Sequence, residues 1–186
     1  MPEEKKKLNF RGKCVICGDS TVGKSALTQV YCSDGAQYPK TYLMTTGVDL
    51  VVKSVNIPET PHTVEMFLYD TAGKDVFQDI VDAHLQNVEM AIFVYDVTNQ
   101  ASYDNIRSWH KKVEAANSGK LFGVLVANKC DLTDRQVVSN EMGEDLASQL
   151  QMKIFHTSAK EMHDVESPFQ QVVADFFTAC ADTSSL

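Results

Sequence analysis

A chain of 186 residues is long enough for one domain with a sizeable core and too short for two comfortable ones. Its formal net charge of −8 argues against general nucleic-acid binding, which needs a basic surface, so no nucleic-acid partner is expected. Its five cysteines lack the spacing of a disulfide framework, which favours a reducing compartment.

The two ends of the chain carry no recognisable targeting or lipidation signal. The opening MPEEKKKLNF has no apolar run that could act as a secretory signal, and its Met-Pro start excludes N-terminal myristoylation. Thr183 occupies the position that a C-terminal prenylation motif gives to cysteine, and the longest apolar run is far too short for a membrane span. We therefore expect a soluble protein of the cytoplasm with no direct lipid anchor.

The chain is predicted to form a single domain, residues 12–180, between a charged N-terminal arm, residues 1–11, and a short tail, residues 181–186. Compact runs rich in β-branched residues predict buried parallel strands at 14–18, 91–97 and 123–128. Residues 153–158 are a plausible last strand. Segments 50–57 and 63–70 flank the turn PETPH, and they predict an antiparallel pair at a sheet edge.

Helical patterns alternate with these strands. Residues 25–31 follow a glycine-rich turn, and residues 102–113 place apolar side chains on one face. The final helix is predicted to be capped by Ser167, with Pro168 in its first position. Its apolar stripe consists of Phe169, Val172, Val173, Phe176, Phe177 and Cys180. The alternation indicates a three-layer α/β fold whose mostly parallel, six-stranded sheet has one antiparallel edge strand and about five helices.

Cys14 and Cys17 form a CxxC pattern in the first predicted strand. The pattern could indicate redox or metal chemistry, but the partner cysteines of a structural zinc site are missing. We interpret both residues as small apolar side chains of a buried strand.

The stretch GDSTVGKS (18–25) has the spacing of a phosphate-binding loop and stands between a predicted strand and a predicted helix. Gly18 and Gly23 let the backbone curl so that its N–H groups point at phosphates, and Lys24 adds a charge for the outer phosphates. The hydroxyl of Ser25 suits magnesium. The predicted nucleotide contacts are Gly18, Asp19, Ser20, Thr21, Val22, Gly23, Lys24, Ser25 and Ala26. The other interpretation is an ordinary glycine turn between a strand and a helix.

Two further motifs follow predicted strands and together indicate a base pocket. In NKCD (128–131), Asp131 only accepts hydrogen bonds, so it suits a base edge with two donors, which guanine has and adenine lacks. Lys129 can lay its stem over the base, and Asn128 can tie the pocket to the phosphate loop. In TSAK (157–160), N–H groups near Ala159 could bind the guanine carbonyl. The predicted contacts are Asn128, Lys129, Asp131, Leu132, Ser158, Ala159 and Lys160.

In this order and at strand ends, these motifs resemble those of the Ras-like small GTPases, especially the Rab branch, over residues 12–180. The resemblance implies the P-loop NTPase (small G-protein) fold and the binding of GTP or GDP with Mg²⁺. YLMTTGVDLVV (42–52) is similar to the first switch of a Rab. This resemblance implies that Thr45 occupies the position that binds magnesium and the last phosphate.

DTAG (70–73) is similar to the second switch of that family. By this resemblance, Asp70 holds magnesium through water, and the Gly73 N–H meets the last phosphate. The expected metal residues are therefore Ser25, Thr45 and Asp70, and the expected catalytic residues are Lys24, Thr45 and Gly73.

Four longer stretches narrow the resemblance to the Rab-like GTPases of the intraflagellar transport train: 33–60, 64–77, 123–132 and 158–169. This resemblance implies a stable subunit of the B complex of that train, present in the cilium or flagellum as well as the cytoplasm. The expected direct partner is a small β-sandwich subunit, beside other B-complex subunits.

Lys74 departs from the family pattern, which places glutamine at this position to orient the attacking water. A lysine ammonium is a donor-only cation and cannot accept a proton from water. Because a positioned proton acceptor contributes roughly 10²–10⁴ in rate, slow hydrolysis is expected. The alternative is that Lys74 points to solvent and has no effect.

Two other functions agree with parts of the pattern. The chain could be a constitutive assembly subunit whose nucleotide is structural or absent. A small-molecule P-loop kinase would need an acceptor site and an arginine-rich lid, but Arg107 and Arg135 are isolated in the sequence. The NKCD motif would also have no function in such an enzyme.

Overall fold

The computed structural model describes residues 7–39, 41 and 43–184. Four parts of the chain lie outside that description: residues 1–6 of the predicted arm, Lys40, Tyr42 at the start of the predicted first switch, and residues 185–186 of the predicted tail. The described chain folds into a six-stranded sheet with helices on both faces, which confirms the predicted three-layer α/β architecture.

The elements follow one another in the predicted alternation. The strands are β1 (Asn9–Cys17), β2 (Val48–Asn56), β3 (Thr63–Thr71), β4 (Met90–Asp96), β5 (Phe122–Asn128) and β6 (Lys153–Thr157). The helices are α1 (Lys24–Cys32), α2 (Gln78–His84), α3 (Gln100–Asp104), α4 (Ile106–Ala115), α5 (Asn140–Gln149) and α6 (Glu166–Ser184). Short 3₁₀ turns occur at Asp75–Phe77 and Thr133–Arg135.

The sheet order is β2-β3-β1-β4-β5-β6. Strand β2 is antiparallel to β3 and lies at the edge, as predicted, while the other pairs are parallel. The chain leaves β1 toward β3 on one side and returns to β4 on the other. Such a reversal opens a crevice at the carboxyl ends of the strands, where open α/β sheets bind ligands.

Strand β1 is longer than the apolar pattern predicted. It begins at Asn9, so that residues 9–11, assigned to the arm from sequence, are part of the sheet. Asn9 lies opposite Thr63 of β3, and the Thr63 hydroxyl donates to Asn9 Oδ1 at 2.6 Å. Main-chain pairing with β3 extends the strand here without needing apolar side chains, so hydrophobicity alone could not locate its start.

The helix predicted at 102–113 is interrupted. Asn105 separates α3 from α4, with φ −73° and ψ −13°, a tighter turn than that of a regular α-helix. The helix direction is kept, because the Trp109 N–H still donates to the Asn105 carbonyl at 3.1 Å. Ile106 and Val113 lie in the core and Trp109 is 7% exposed, which confirms the predicted apolar face.

Helix α6 begins at Glu166, so the predicted cap at Ser167 is wrong. Ser167 lies inside the first turn, and its hydroxyl donates to the Asp164 carboxylate. Pro168 also lies in that turn, where its missing N–H costs no hydrogen bond. The predicted stripe is confirmed: Phe169, Val172, Val173 and Phe176 are buried, while Phe177 and Cys180 pack partly on the same cluster.

The alternation of side chains along β1 separates two apolar cores. Cys14 faces the core under α1 and α6, whereas Cys17 faces the core under α2 to α5. The two thiols therefore lie on opposite faces of the sheet and cannot share a metal ion or a disulfide. Burial raises the pKa of both, that of Cys17 to about 12. This arrangement supports the interpretation of both as core residues. Among the described residues, no helix has the length and apolar character needed to cross a bilayer.

Candidate functional site

The predicted phosphate loop lies between the end of β1 and the start of α1, at the carboxyl edge of the sheet. Gly18 and Gly23 have φ angles of 148° and 104°, in a region that favours glycine. A Cβ atom on Gly18 would lie 2.1 Å from the Val94 carbonyl oxygen, and one on Gly23 would lie 2.2 Å from Asn128 Nδ2. The loop therefore packs closely against the ends of β4 and β5, and side chains at these two glycine positions would clash.

The ammonium group of Lys24 is held inside this loop. The residue is 6% exposed, and its Nζ donates to the main-chain oxygens of Gly18 at 2.7 Å and Asp19 at 2.8 Å. Burial lowers the pKa of Lys24, while the charge of Asp70 acts in the opposite direction. Because an ammonium has three donors, one is left to bind an anion in the loop.

The three predicted metal residues meet beside the loop. Ser25 Oγ lies 3.0 Å from Thr45 Oγ1. Asp70, at the end of β3, is 3% exposed, and among the described residues its Oδ1 has no hydrogen-bond partner. Burial raises the pKa of Asp70, whereas the hydroxyls of Ser25 and Thr45 and the charge of Lys24 act to lower it. An unpaired buried carboxylate oxygen beside two hydroxyls is a hard oxygen set of the kind that Mg²⁺ prefers, so these residues fit that ion.

The second switch segment, defined as residues 70–77, contacts the phosphate loop through Gly73. A Cβ atom on Gly73 would lie 2.3 Å from both Asp19 C and Ser20 N, so the two backbones are in direct contact. Lys74 follows in an extended conformation and is exposed. Its ammonium is therefore free to reorient, and its effect on hydrolysis stays a prediction.

One cavity of 670 Å³ joins most of these groups, within the size range of small-molecule sites. Of the predicted site residues, it is lined by Ser20, Thr21, Gly23, Lys24, Ser25, Ala26, Thr45, Gly73, Lys74 and Lys129. This cavity thus brings most of the predicted phosphate residues together with Ser25, Thr45, Gly73 and one base-motif residue, whereas Asp70 lines an adjoining pocket with Ser25. Asn128 and Asp131 do not line this cavity and instead belong to an adjoining hydrogen-bond network.

Asn128 joins the base motifs to the phosphate loop. It is 1% exposed, and its Nδ2 donates to the Val22 carbonyl at 2.8 Å, which is the predicted tie between the two parts of the site. Its Oδ1 accepts from the Thr157 hydroxyl at 3.0 Å and from the Ala159 N–H at 3.4 Å. The Ala159 N–H, predicted to bind a base carbonyl, is therefore only weakly engaged within the protein.

Asp131 is oriented by the second base motif. Its Oδ1 accepts from the Ser158 hydroxyl at 2.6 Å, and Lys160 Nζ lies 4.0 Å from its Oδ2. Lys160 is mostly exposed and also pairs with Glu161 at 2.9 Å. Since none of the residues that the structure describes donates a hydrogen bond to Oδ2, this oxygen can accept hydrogen bonds from a ligand edge.

Sequence reasoning missed Asp96, which holds the lysine of NKCD. Lys129 Nζ donates to Asp96 Oδ2 at 2.6 Å, and Asp96 Oδ1 accepts from the N–H and hydroxyl of Thr98 at 2.8 and 2.7 Å. Lys129 itself has a φ angle of 66°, so its backbone is in the left-handed region. A signal was present in the sequence, because an aspartate ends an otherwise apolar strand at the edge where ligands bind.

Sequence reasoning also missed backbone strain at Thr21. This β-branched residue has a φ angle of 67°, which is rare for such side chains. It is exposed and lines the cavity, so no close packing compensates for the strain. Strained backbone of this kind concentrates at functional sites.

Comparisons with known proteins extend these observations. The model of the Ras family matches residues 13–178. The chain is 44% identical over 170 residues to the intraflagellar transport protein 27 homolog of Bos taurus, covering 91% of each chain. It is 37% identical over 173 residues to intraflagellar transport protein 27 of Chlamydomonas reinhardtii, covering 90% of this chain and 85% of that protein. It is 32% identical over 173 residues to the Ras-related protein Rab-8B of Homo sapiens, covering 93% and 82%.

Proposed function

Because this chain belongs to the Ras family of small GTPases, we propose that it binds GTP and GDP with Mg²⁺, hydrolyses GTP slowly, and serves as a subunit of the intraflagellar transport machinery. The observation that carries the nucleotide proposal is the unpaired, buried Oδ1 of Asp70 beside the hydroxyls of Ser25 and Thr45 and the ammonium of Lys24. A cation and a polyanion together would satisfy these groups.

The proposed roles follow from the positions of the side chains. Lys24 and the loop N–H groups bind the outer phosphates, and Ser25, Thr45 and Asp70 hold magnesium. The bound ion would neutralise charge on the phosphate oxygens. Gly73, which contacts the loop backbone, senses whether the last phosphate is present.

Guanine specificity is proposed for the network around Asp131. Its Oδ2 is the acceptor for the ring N–H and the exocyclic amine of guanine, while Ser158 fixes the carboxylate through Oδ1. Adenine would cover this partly exposed acceptor without offering it donors, at a cost of about 1–3 kcal/mol or more.

Slow hydrolysis is proposed because no proton acceptor occupies position 74. The lysine side chain can donate but cannot accept, so it cannot take the proton of the attacking water. Lys24, the loop amides and magnesium are still expected to position the phosphates for reaction. Turnover is therefore reduced and not abolished.

The cellular role is proposed from the relatives. The names of the Bos taurus and Chlamydomonas reinhardtii proteins assign them to intraflagellar transport, at identities of 44% and 37%. We propose that this chain acts in the B complex of that machinery, in the cytoplasm and the cilium or flagellum. Its direct partner in this proposal is a small β-sandwich subunit.

Nucleotide analysis of the purified chain tests the biochemical proposal. Chromatography of the denatured protein identifies retained nucleotide, and calorimetry measures the binding of GDP, a non-hydrolysable GTP analogue and ADP with and without Mg²⁺. We expect tight guanine binding that Mg²⁺ strengthens, and weak ADP binding. Asp131→Ala should weaken GDP binding, whereas Asp134→Ala, at an exposed position in the same loop, should not. Absence of guanine nucleotide together with no binding on titration would overturn the proposal.

The cellular proposal needs a separate test. A tagged copy of the chain in ciliated cells is expected to enter cilia and to purify with transport-train subunits. If it neither enters cilia nor associates with those subunits while still binding GDP in vitro, the transport role is wrong and the GTPase assignment stands.

A further inference from the structure

We propose that Asn105 and Trp109, at the junction of α3 and α4, hold the Asp19 carboxylate away from bound phosphates and so act as positioning residues of the nucleotide site. Asn105 and Trp109 lie outside the motifs for phosphate, metal and base. Their role depends on the proposed nucleotide binding, because Asp19 belongs to the phosphate loop.

Both oxygens of the Asp19 carboxylate are bound by side chains of this junction. Trp109 Nε1–H donates to Oδ1 at 2.9 Å, and Asn105 Nδ2 donates to Oδ2 at 2.8 Å. Asn105 and Trp109 are four residues apart, so they lie on one face of the helix. Trp109 is 7% exposed, so its indole is fixed by the core, whereas Asn105 is exposed. The two donors fix the direction of the carboxylate.

A carboxylate in a phosphate loop needs such restraint. Neighbouring phosphates would repel it, and the loop otherwise offers anions its N–H groups and one ammonium. That ammonium is close: although burial lowers the pKa of Lys24, the charge of Asp19 is among those that act to raise it. A released Asp19 carboxylate could therefore turn to Lys24 and compete with the phosphates for it. The two neutral donors satisfy the carboxylate without using Lys24.

The same contacts extend to the second switch segment. The backbone of Asp19 and Ser20 is the surface against which Gly73 packs, with a Cβ on Gly73 only 2.3 Å from either residue. A shift of Asp19 would therefore disturb Gly73, the proposed sensor of the last phosphate. For this reason, and because GTP carries more charge, loss of the two donors should weaken GTP binding more than GDP binding.

Calorimetry on the full chain with Mg²⁺ tests this role. Trp109→Phe removes the N–H and keeps an aromatic ring, and Asn105→Ala removes the amide at an exposed position. Each should weaken binding of a non-hydrolysable GTP analogue about tenfold, as expected for losing a hydrogen bond to a charged group, with a smaller effect on GDP. Adding Asp19→Ala to either variant should restore wild-type affinity or better, because the repelling charge is gone. Double variants as weak as the single ones would overturn the role.

Asn117→Ala is the matched control. The Asn117 amide, just beyond α4, donates to the carbonyls of Leu85 and Val113 at 2.7 Å. Its loss should lower thermal stability without changing nucleotide affinity. The single tryptophan gives one indole N–H resonance, which should move upfield in Asp19→Ala.

The outcomes separate the two proposals. If the wild type binds no guanine nucleotide, the proposed function fails and this role fails with it. If the wild type binds and both single variants bind equally well, Asn105 and Trp109 have no positioning role and the proposed function stands. Asn105 is exposed, so its variant provides the test even if Trp109→Phe folds poorly.

Discussion

At the scale of single residues, Thr21 is a place where sequence and backbone geometry disagree. Its φ of 67° costs roughly 1–2 kcal/mol for a residue with a Cβ atom. Thr21→Gly should raise the free energy of unfolding of the nucleotide-free protein by about 0.5–1 kcal/mol, after the greater chain entropy of glycine is subtracted. Urea denaturation measures this as a higher midpoint at an unchanged slope.

Thr133→Gly serves as the comparison for that variant. Thr133 is exposed and is not among the residues with positive φ, so glycine there should lower stability. If Thr21→Gly were as destabilising as Thr133→Gly, strain at Thr21 would not be the explanation.

Lys74 is the second residue with a distinct expected phenotype. Lys74→Gln supplies an acceptor for the attacking water, so single-turnover GTP hydrolysis should accelerate, by up to roughly 10²-fold. Lys74→Met, which removes the charge without adding an acceptor, should stay slow. Lys111→Gln, which makes the same change at an exposed site on α4, should match the wild type. Unchanged hydrolysis in Lys74→Gln with normal GTP binding would show that Lys74 does not limit the rate.

At the scale of elements, apolar patterning predicted most of the fold, because the face of a strand or helix that is buried shows as a periodic apolar pattern in the local sequence. The edge pair β2–β3 and the stripe of α6 follow from such patterns. The start of β1 at Asn9 depends on pairing with a strand more than fifty residues away, so no local pattern could place it. Helix α6 begins one residue before Ser167, whose hydroxyl donates to Asp164 in the preceding loop and does not cap the helix.

The candidate site divides in the same way. Motif spacing predicted a phosphate loop and two base motifs, and the structure places each of these segments at the carboxyl end of a strand. Contacts that orient those motifs come from distant parts of the chain: Asp96 lies 33 residues from Lys129, and Trp109 lies 90 residues from Asp19. A single sequence shows that such residues exist but not which of them meet.

The environment of β1 gives a prediction for its cysteines. Cys14 and Cys17 are fully buried on opposite faces, so iodoacetamide at neutral pH should label them only through unfolding, at least about 10³-fold more slowly than in denaturant. Half-buried Cys130 is the internal reference and should react faster. Mass spectrometry of digests measures each rate. Rapid native labelling of Cys14, or a Cys14–Cys17 disulfide after oxidation, would contradict the buried arrangement.

At the scale of the whole molecule, the buried carboxylate of Asp70, whose Oδ1 has no hydrogen-bond partner among the described residues, should make global stability depend on pH and ligand. Burial raises the pKa of Asp70 above its ordinary value, so without ligand the folded state holds the proton more tightly than the unfolded state. Its contribution to stability is therefore present at low pH and is lost as pH rises through the folded pKa. At neutral pH the ionised group destabilises the nucleotide-free protein.

Asp70→Asn should therefore raise the free energy of unfolding of the nucleotide-free protein at pH 7 by about 1–3 kcal/mol, because a neutral amide replaces a buried charge and costs less to remove from water. The difference should shrink toward pH 4, near the ordinary aspartate pKa of about 3.9. Asp145→Asn, which makes the same change at an exposed position on α5 away from Asp70, should change stability by less than about 0.5 kcal/mol. With Mg²⁺ and GDP, the wild type should become more stable than Asp70→Asn. A ligand stabilises the folded protein more when it binds more tightly, and Asp70→Asn has lost a proposed metal residue. Denaturation at both pH values, with and without ligand, measures all of these, and an Asp70→Asn protein less stable than the wild type without ligand would refute the assignment.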